Sequence, residues 1–266
     1  MPSLAFIAGV TAVAAAINSV AGGGTMLTFP ALAAILPADP ARLVIANATS
    51  TIGLWPGTLS ATWEYRHERG DHPKWSAWLF LASIVGSVIG TLLVLVLPTT
   101  YFDSVVPVLI LSAATLFAIQ PFISKHFAKN MNVEDADANK APRKKKLLFA
   151  SCVQFFIGIY GGYFGAGIGI LMLAALGGLG LGDTHRLNGF KNLLAMGINA
   201  CAAITFILIS LLTDSIVAWP EAGIMAVAAI LGGFAGGRLA RRCHPQTIRK
   251  FVAVIGFGLA GYYFIT

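Results

Sequence analysis

Apolar residues fall in long unbroken runs along this chain, and polar residues gather in short stretches between them. Leu4 to Ala21 is apolar and just long enough to cross a bilayer as a helix, which takes about 20 residues. Gly22, Gly23 and Gly24 follow, and three consecutive glycines make a poor helix. Met26 to Leu36 is apolar again but short, so it predicts a re-entrant arm rather than a full span. Leu43 to Trp63 predicts the next span, with a structural kink at Trp55-Pro56-Gly57. After a polar loop from Glu64 to Lys74, Trp75 to Leu97 predicts a span with a close-packing face at Gly86-x-x-x-Gly90. Val105 to Phe122 predicts another. Ser124 to Lys146 is polar, carries Glu134, Asp135, Asp137 and the run Arg143-Lys144-Lys145-Lys146, and divides the chain near its middle.

The second half repeats the plan. Leu147 to Phe164 predicts a span, a glycine break follows, and Ile168 to Leu179 forms a second short arm. Leu187 to Leu212, Ile216 to Gly237 and Phe251 to Ile265 predict three further spans. Asn18 to Pro30 corresponds to 161–173, where the glycines read Gly165-Ala166-Gly167-Ile168-Gly169. Asp39 to Asn47 matches Asp183 to Asn188, and the stretch from Ala46 to Thr51 lies opposite Leu187 to Asn192, within a residue or so of register. Gly-interrupted apolar segments at corresponding places in two halves point to the binding site of a secondary transporter. Broken backbone is tolerated at membrane depth only where it is buried in protein or lines a cavity.

Composition places the chain in the bilayer. It is 266 residues long, 57% hydrophobic and 11% charged, with a mean hydropathy of +0.78; a soluble domain carries about 25% charged residues. The net charge of +7 does not point to nucleic acid, because the basic residues sit in the loops. Of 18 Lys and Arg, three lie in 64–74, seven in 121–146 and five in 238–250. If each glycine break is a hairpin that turns back, all three basic loops face one side, which is the cytoplasm by the positive-inside rule. Both termini are then extracytoplasmic and the halves are inverted relative to each other. Met1 to Phe6 carries no basic region of a signal peptide and reads as the start of the first span. Cys152, Cys201 and Cys243 are far apart and suggest neither a disulfide framework nor a zinc site.

The residues from Asn18 to Pro30, Ala46-Asn47-Ala48-Thr49, Leu54 to Ser60 and Tyr65-Arg66 resemble the sulfite exporter TauE/SafE family of membrane proteins. Gly158 to Gly169, His185-Arg186-Leu187-Asn188 and Lys191-Asn192 resemble its second repeat. The resemblance covers nearly all of the chain outside 124–146, and departs from the pattern in the second glycine segment, which lacks a pure triple glycine. It implies a two-repeat carrier that exports sulfite, a small organosulfonate or a related anion.

An oxyanion site needs donors and no competing carboxylate. All eleven Asp and Glu lie in loops or at span ends. Each glycine break starts a short arm whose first backbone N–H groups lack intrahelical partners and, with the helix dipole, favour an anion. The core of the expected site is therefore Gly22, Gly23, Gly24 and Thr25 with Gly165, Ala166, Gly167 and Gly169. The competing reading is that these glycines only permit tight helix packing. Asn47, Thr49 and Ser50, with Thr51 beside them, and Asn188, Lys191 and Asn192 are expected to line the same cavity, or else to cap and cross-link helices at about 0.6–2 kcal/mol each. Lys191 is the one ionisable residue inside an apolar segment, which favours a ligand role, although it stands five residues past Arg186 and could snorkel to the interface. Asn18 and Asn199 are mid-span and could bond a helix or a ligand. His67, His72, His126 and His244 read as solvated loop residues, and His185 beside Arg186 is given no role.

Enzyme motifs are missing: the chain has no H-E-x-x-H, G-x-S-x-G or Walker A sequence, and the glycines do not follow a strand in a βαβ unit. The expectation is an all-α integral membrane protein of two inverted-topology repeats, 1–123 and 147–266, joined by a basic cytoplasmic linker, 124–146. Each repeat holds a Gly-broken hairpin followed by three spanning helices, for eight full spans or more. It would sit in a bacterial inner membrane as a secondary or passive transporter without cofactor or metal, with a small anion and the lipid bilayer as partners and no nucleic acid. Another small anion or sulfur compound, or a non-transporting membrane subunit docking a partner on the basic linker, are the alternatives. Gly233-x-x-x-Gly237 could serve a homodimer, with packing inside the chain preferred.

Overall fold

The structure, a computed structural model, describes residues 2–64, 76–130, 144–177, 184–213, 216–240 and 245–265. The remaining loop residues, with His67, His72, Asp183 and His244, lie outside that description, as do the side chains of 123–130 and 177–188, among them His126, His185, Arg186 and Asn188. Every described element is a helix: α1 (Pro2–Ala21), α2 (Thr25–Ile35), α3 (Arg42–Glu64), α4 (Ser76–Val96), α5 (Thr99–Asn130), α6 (Lys144–Tyr163), α7 (Ile168–Gly177), α8 (Thr184–Leu212), α9 (Trp219–Ala240) and α10 (Pro245–Ile265). An all-helical chain follows from the solvent, since in lipid each backbone N–H and C=O must be paired within the segment.

Among the described residues six helices, α1, α4, α5, α8, α9 and α10, are long and apolar enough to cross a membrane, and the chain is a multi-pass membrane protein. Large apolar side chains such as Trp78, Val96, Phe122, Leu148, Leu212 and Val254 stand exposed on its outside, as a lipid-facing surface requires. The count of eight spans rested on α3 and α6 as well. Both are long enough, but α6 opens on Lys144, Lys145 and Lys146, and α3 carries Asn47, Thr49 and Ser50, which are fully buried. The polar residues of α3 are spent inside the protein, so a hydropathy measure undervalues it. Helices α2 and α7 have 11 and 10 residues, about 16 and 15 Å at 1.5 Å per residue. Each reaches about halfway through a hydrocarbon core of about 30 Å.

Several helix ends differ from the expectation: α5 begins at Thr99 rather than Val105, and α10 at Pro245 rather than Phe251. Helix α5 continues to Asn130, well past Phe122 and into the stretch assigned to the linker, and α6 begins inside that stretch, at Lys144. Apolar runs mark the lipid-buried part of a helix, whereas Lys, Ala and Phe continue it readily once it leaves the bilayer. Trp55-Pro56-Gly57 interrupts nothing in the assignment: α3 runs through Pro56.

The helices pair in matched sets. Helix α1 packs on α9 and α4 on α6; α3 packs on both α9 and α8; α4 packs on α8; α5 packs on α10. The pairs are close because small residues face backbone. A Cβ added to Gly86 or Gly90 of α4 would strike the carbonyls of Phe155 and Ile159 on α6, while one on Gly232 or Gly236 of α9 would strike the backbone of Ala12 and Ala16 on α1. Both interfaces are thus built alike, with glycines of one helix against the backbone of the other. Gly233 packs against Gly57 and Ser60 of α3, so that glycine is used inside the chain. Phe29 of α2 meets Phe164 edge-on (5.5 Å between centroids), and Phe102 of α5 lies tilted against Tyr163 (5.5 Å), which fixes the first arm against the second break.

Candidate anion site between the two helix breaks

Each break is made by glycine in a backbone region closed to most residues. Gly22 ends α1 with φ +76°, and its N–H donates to the Asn18 carbonyl (3.0 Å). Gly165 follows α6 with φ +79°, its N–H donating to Tyr160 O (3.2 Å), and Gly167 has φ +78°. Side chains with a Cβ pay about 1–2 kcal/mol to adopt such angles. Neighbouring groups hold each break open: Asn18 Oδ1 accepts from the Gly24 N–H (3.3 Å) at the start of α2, and Tyr160 Oη donates to the Ala166 carbonyl (2.8 Å) before α7.

The two breaks touch. The Cβ position of Gly22 lies 3.7 Å from the Gly169 Cα, and that of Gly165 lies 4.0 Å from Thr25 Oγ1. Beside this contact is a cavity of about 50 Å³, room for about three to five waters at 10–15 Å³ each. Its walls are Asn18, Ser19, Gly22 and Thr25 from the first hairpin, Gly165, Ile168 and Gly169 from the second, Thr51, Leu54, Thr58 and Thr62 from α3, and Lys191, Asn192, Ala195, Met196 and Asn199 from α8. None of the described lining residues is acidic. Lys191 is only 8% exposed, its stem runs past Gly169 (3.5 Å from that residue's Cβ position to Cδ), and no ion pair or hydrogen bond holds its ammonium among the described residues. The arrangement offers one cation, the amides of Asn18 and Asn192, the Thr25 hydroxyl and two helix starts, which together suit a small anion. Thr51 spends its hydroxyl donor on its own helix, at Asn47 O, and Asn199 spends one of its two amide N–H groups at Ala195 O (both 2.9 Å).

Six of the residues expected at the site line this cavity: Gly22, Thr25, Gly165, Gly169, Lys191 and Asn192. Seven others stand behind it. Gly23 faces the Phe117 ring, Gly24 lies 2.9 Å at its Cβ position from Ala14 O, and Gly167 faces Ala113, Leu116 and Phe117. These three let the breaks pack. Asn47 Nδ2 donates to Tyr163 O (2.9 Å), tying α3 to the end of α6. Thr49 Oγ1 accepts from the Ala218 N–H (3.0 Å), Ser50 Oγ bonds Thr28 Oγ1 (2.6 Å), and the Ala166 carbonyl accepts from Tyr160. Asn188 belongs to the side chains outside the description. Sequence reasoning passed over Thr58 and Thr62. Their signal was present: Thr51, Thr58 and Thr62 fall seven and four apart, one face of a helix, and Asn192 and Asn199 repeat the spacing of seven on α8.

The chain is 27% identical to a "probable membrane transporter protein" of Haemophilus influenzae over 246 residues, covering 92% of this chain and 88% of the relative. It is 28% identical to "probable membrane transporter protein ORF9" of a Sinorhizobium species over 264 residues, 97% and 90% of the two chains. It is 25% identical to "probable membrane transporter protein YfcA" of Escherichia coli K12 over 239 residues, 90% and 81%. No solved structure matches it. The model of the family described as "Sulfite exporter TauE/SafE" matches residues 7–263, and the chain belongs to the sulfite exporter TauE/SafE family.

Proposed function

We propose that the protein is a secondary or passive membrane transporter that exports a small sulfur oxyanion, such as sulfite or an organosulfonate, through the cavity between the two glycine breaks. The observation that carries this reading is Lys191, a buried cation on the wall of a cavity with no carboxylate among its described residues, where both half-length arms begin. A charge at membrane depth is costly and is kept where it has a partner; here the substrate is that partner. The matched packing of α1 on α9 and α4 on α6 supports two repeats of inverted topology. On that topology both termini are extracytoplasmic and the loops 64–74, 121–146 and 238–250 face the cytoplasm of a bacterial inner membrane. A negative interior then favours exit of each anionic charge by about 2.3 kcal/mol per 100 mV.

The test is the thermal stability of purified protein at fixed ionic strength against sulfite, sulfate, sulfoacetate, taurine, acetate and chloride. A ligand at one hundred times its dissociation constant stabilises by about 2.7 kcal/mol. Stabilisation by sulfite or a sulfonate, lost in Lys191→Ala with the fold retained, is the expected result. Stabilisation by acetate alone moves the substrate to carboxylates, and none by any anion rejects the anion site.

A further inference from the structure

Lys191 has a property that binding alone does not use. Helix α8 is packed by α3, α4, α6 and α7. Helices α4 and α7 carry no charged residue, α6 carries only Lys144, Lys145 and Lys146, and α3 carries Arg42 and, at its last position, Glu64. Arg249 of α10 adds its own positive charge to the surroundings of Lys191. The Nε of Arg249 is buried without a partner among the described residues. Positive charge therefore meets positive charge around the cavity, and among the described residues no carboxylate lies on its wall.

We propose that this protein works as an anion exchanger, because among the described residues the cavity gives Lys191 no counter-charge and the carried anion supplies it. This inference rests on the anion-site reading above. With the cavity loaded, ammonium and anion form a buried, compensated pair that can pass between inward-open and outward-open forms. With the cavity empty, the same passage would enclose an unpaired ammonium in a low-dielectric site, which is strongly disfavoured. The empty carrier stays where it released its cargo until a second anion enters. One anion leaves for each that enters, and for anions of equal valence no net charge crosses, so the membrane potential assists export only when the entering anion carries fewer charges.

The experiment uses the full chain in proteoliposomes and reads initial uptake of ³⁵S-labelled sulfite. The lumen holds either unlabelled sulfite or gluconate at equal ionic strength, and the membrane potential is clamped at zero. Uptake is expected to be at least tenfold faster with sulfite inside. In Lys191→Gln the empty site holds no bare ammonium, so the ratio of the two rates falls toward one even though binding is weaker. Lys191→Arg, which keeps the charge, keeps the ratio. Glu64→Gln and Asp183→Asn, which remove the acidic residues at the end of α3 and just before α8, leave it unchanged.

Equal uptake into both kinds of wild-type vesicle overturns the inference. So does a ratio that collapses in Glu64→Gln or Asp183→Asn, since Lys191 would then have a protein counter-ion. Thermal stabilisation by sulfite, measured on the same preparation, separates the two levels. If stabilisation persists while the ratio is one or no flux occurs, exchange alone falls. If stabilisation and flux are both absent, the anion site falls and exchange with it.

Discussion

Gly169→Ala separates a glycine that makes room for a ligand from one that makes room for a helix. Gly169 is the second residue of α7 and its φ is outside the left-handed region, so alanine meets no backbone penalty. Its Cβ would stand 3.5 Å from Lys191 Cδ and 3.9 Å from Gly22 Cα, ordinary van der Waals distances. In a helix, alanine is more favourable than glycine by up to about 1 kcal/mol. The variant is therefore expected to fold with unchanged or slightly raised stability. The methyl group nevertheless enters a cavity of about 50 Å³. It takes the place of about one of its three to five waters and stands between the Lys191 stem and the Gly22 backbone. Sulfite or sulfonate affinity is expected to fall at least about tenfold, or about 1.4 kcal/mol. The assay is thermal unfolding with and without anion over a concentration series, so stability and affinity come from one data set. Unchanged affinity in a well-folded Gly169→Ala protein would refute the placement of the anion beside α7. A variant that unfolds without anion would show the second break to be tighter than the geometry here.

Gly22→Ala is expected to do the reverse. At φ +76° it should lose about 1–2 kcal/mol of stability, measured by thermal or denaturant unfolding, although its Cβ finds space 3.7 Å from the nearest atom. Gly90→Val and Gly236→Val should each cost about 1–3 kcal/mol by overpacking, and by similar amounts, because they press corresponding helices onto the backbone of α6 and α1; a large difference in unfolding free energy would argue that the two interfaces are not equivalent. Ser50→Ala removes the bond to Thr28 and should cost about 1 kcal/mol while leaving anion affinity unchanged; a loss of affinity would put Ser50 at the site after all.

Much of the helix order was legible because lipid leaves the backbone few options. A run such as Trp75 to Leu97 has one use in a bilayer, and the observed α4 differs from it by a residue at each end. The short arms were legible for the same reason, since Met26 to Leu36 is apolar yet too short to cross. Helix ends in water were not, because polarity says where lipid stops and not where hydrogen bonding stops; α5 shows this at Asn130. The site was legible in part. A polar residue in an apolar helix announces that it needs a partner, but its position does not say which. Asn47 could have faced a cavity, and instead it binds the Tyr163 carbonyl more than a hundred residues away. The triple glycine held a similar ambiguity, and its members divide: Gly22 meets the cavity, while Gly23 and Gly24 make way for Phe117 and Ala14.

That division follows from how the two breaks are held. The end of α6 is bound by Asn47 from the first half, Phe164 beside it is packed by Phe29 of the first arm, and the first break leans on Phe117 of α5 and on Gly169 of the second arm. Neither break is closed by its own half alone. Glycine is needed at three kinds of place: where the chain turns left-handed, where a neighbouring helix presses in, and where the arms leave space between them. On the proposed function only glycines facing that space meet the ligand, and Gly22 and Gly165 are both left-handed and on its wall. Lys191 marks that third place, because on the cavity wall the protein supplies its charge and no described group to answer it. The residues behind the cavity set the position of the two arms, and the cavity's chemistry is left to the few groups that face it.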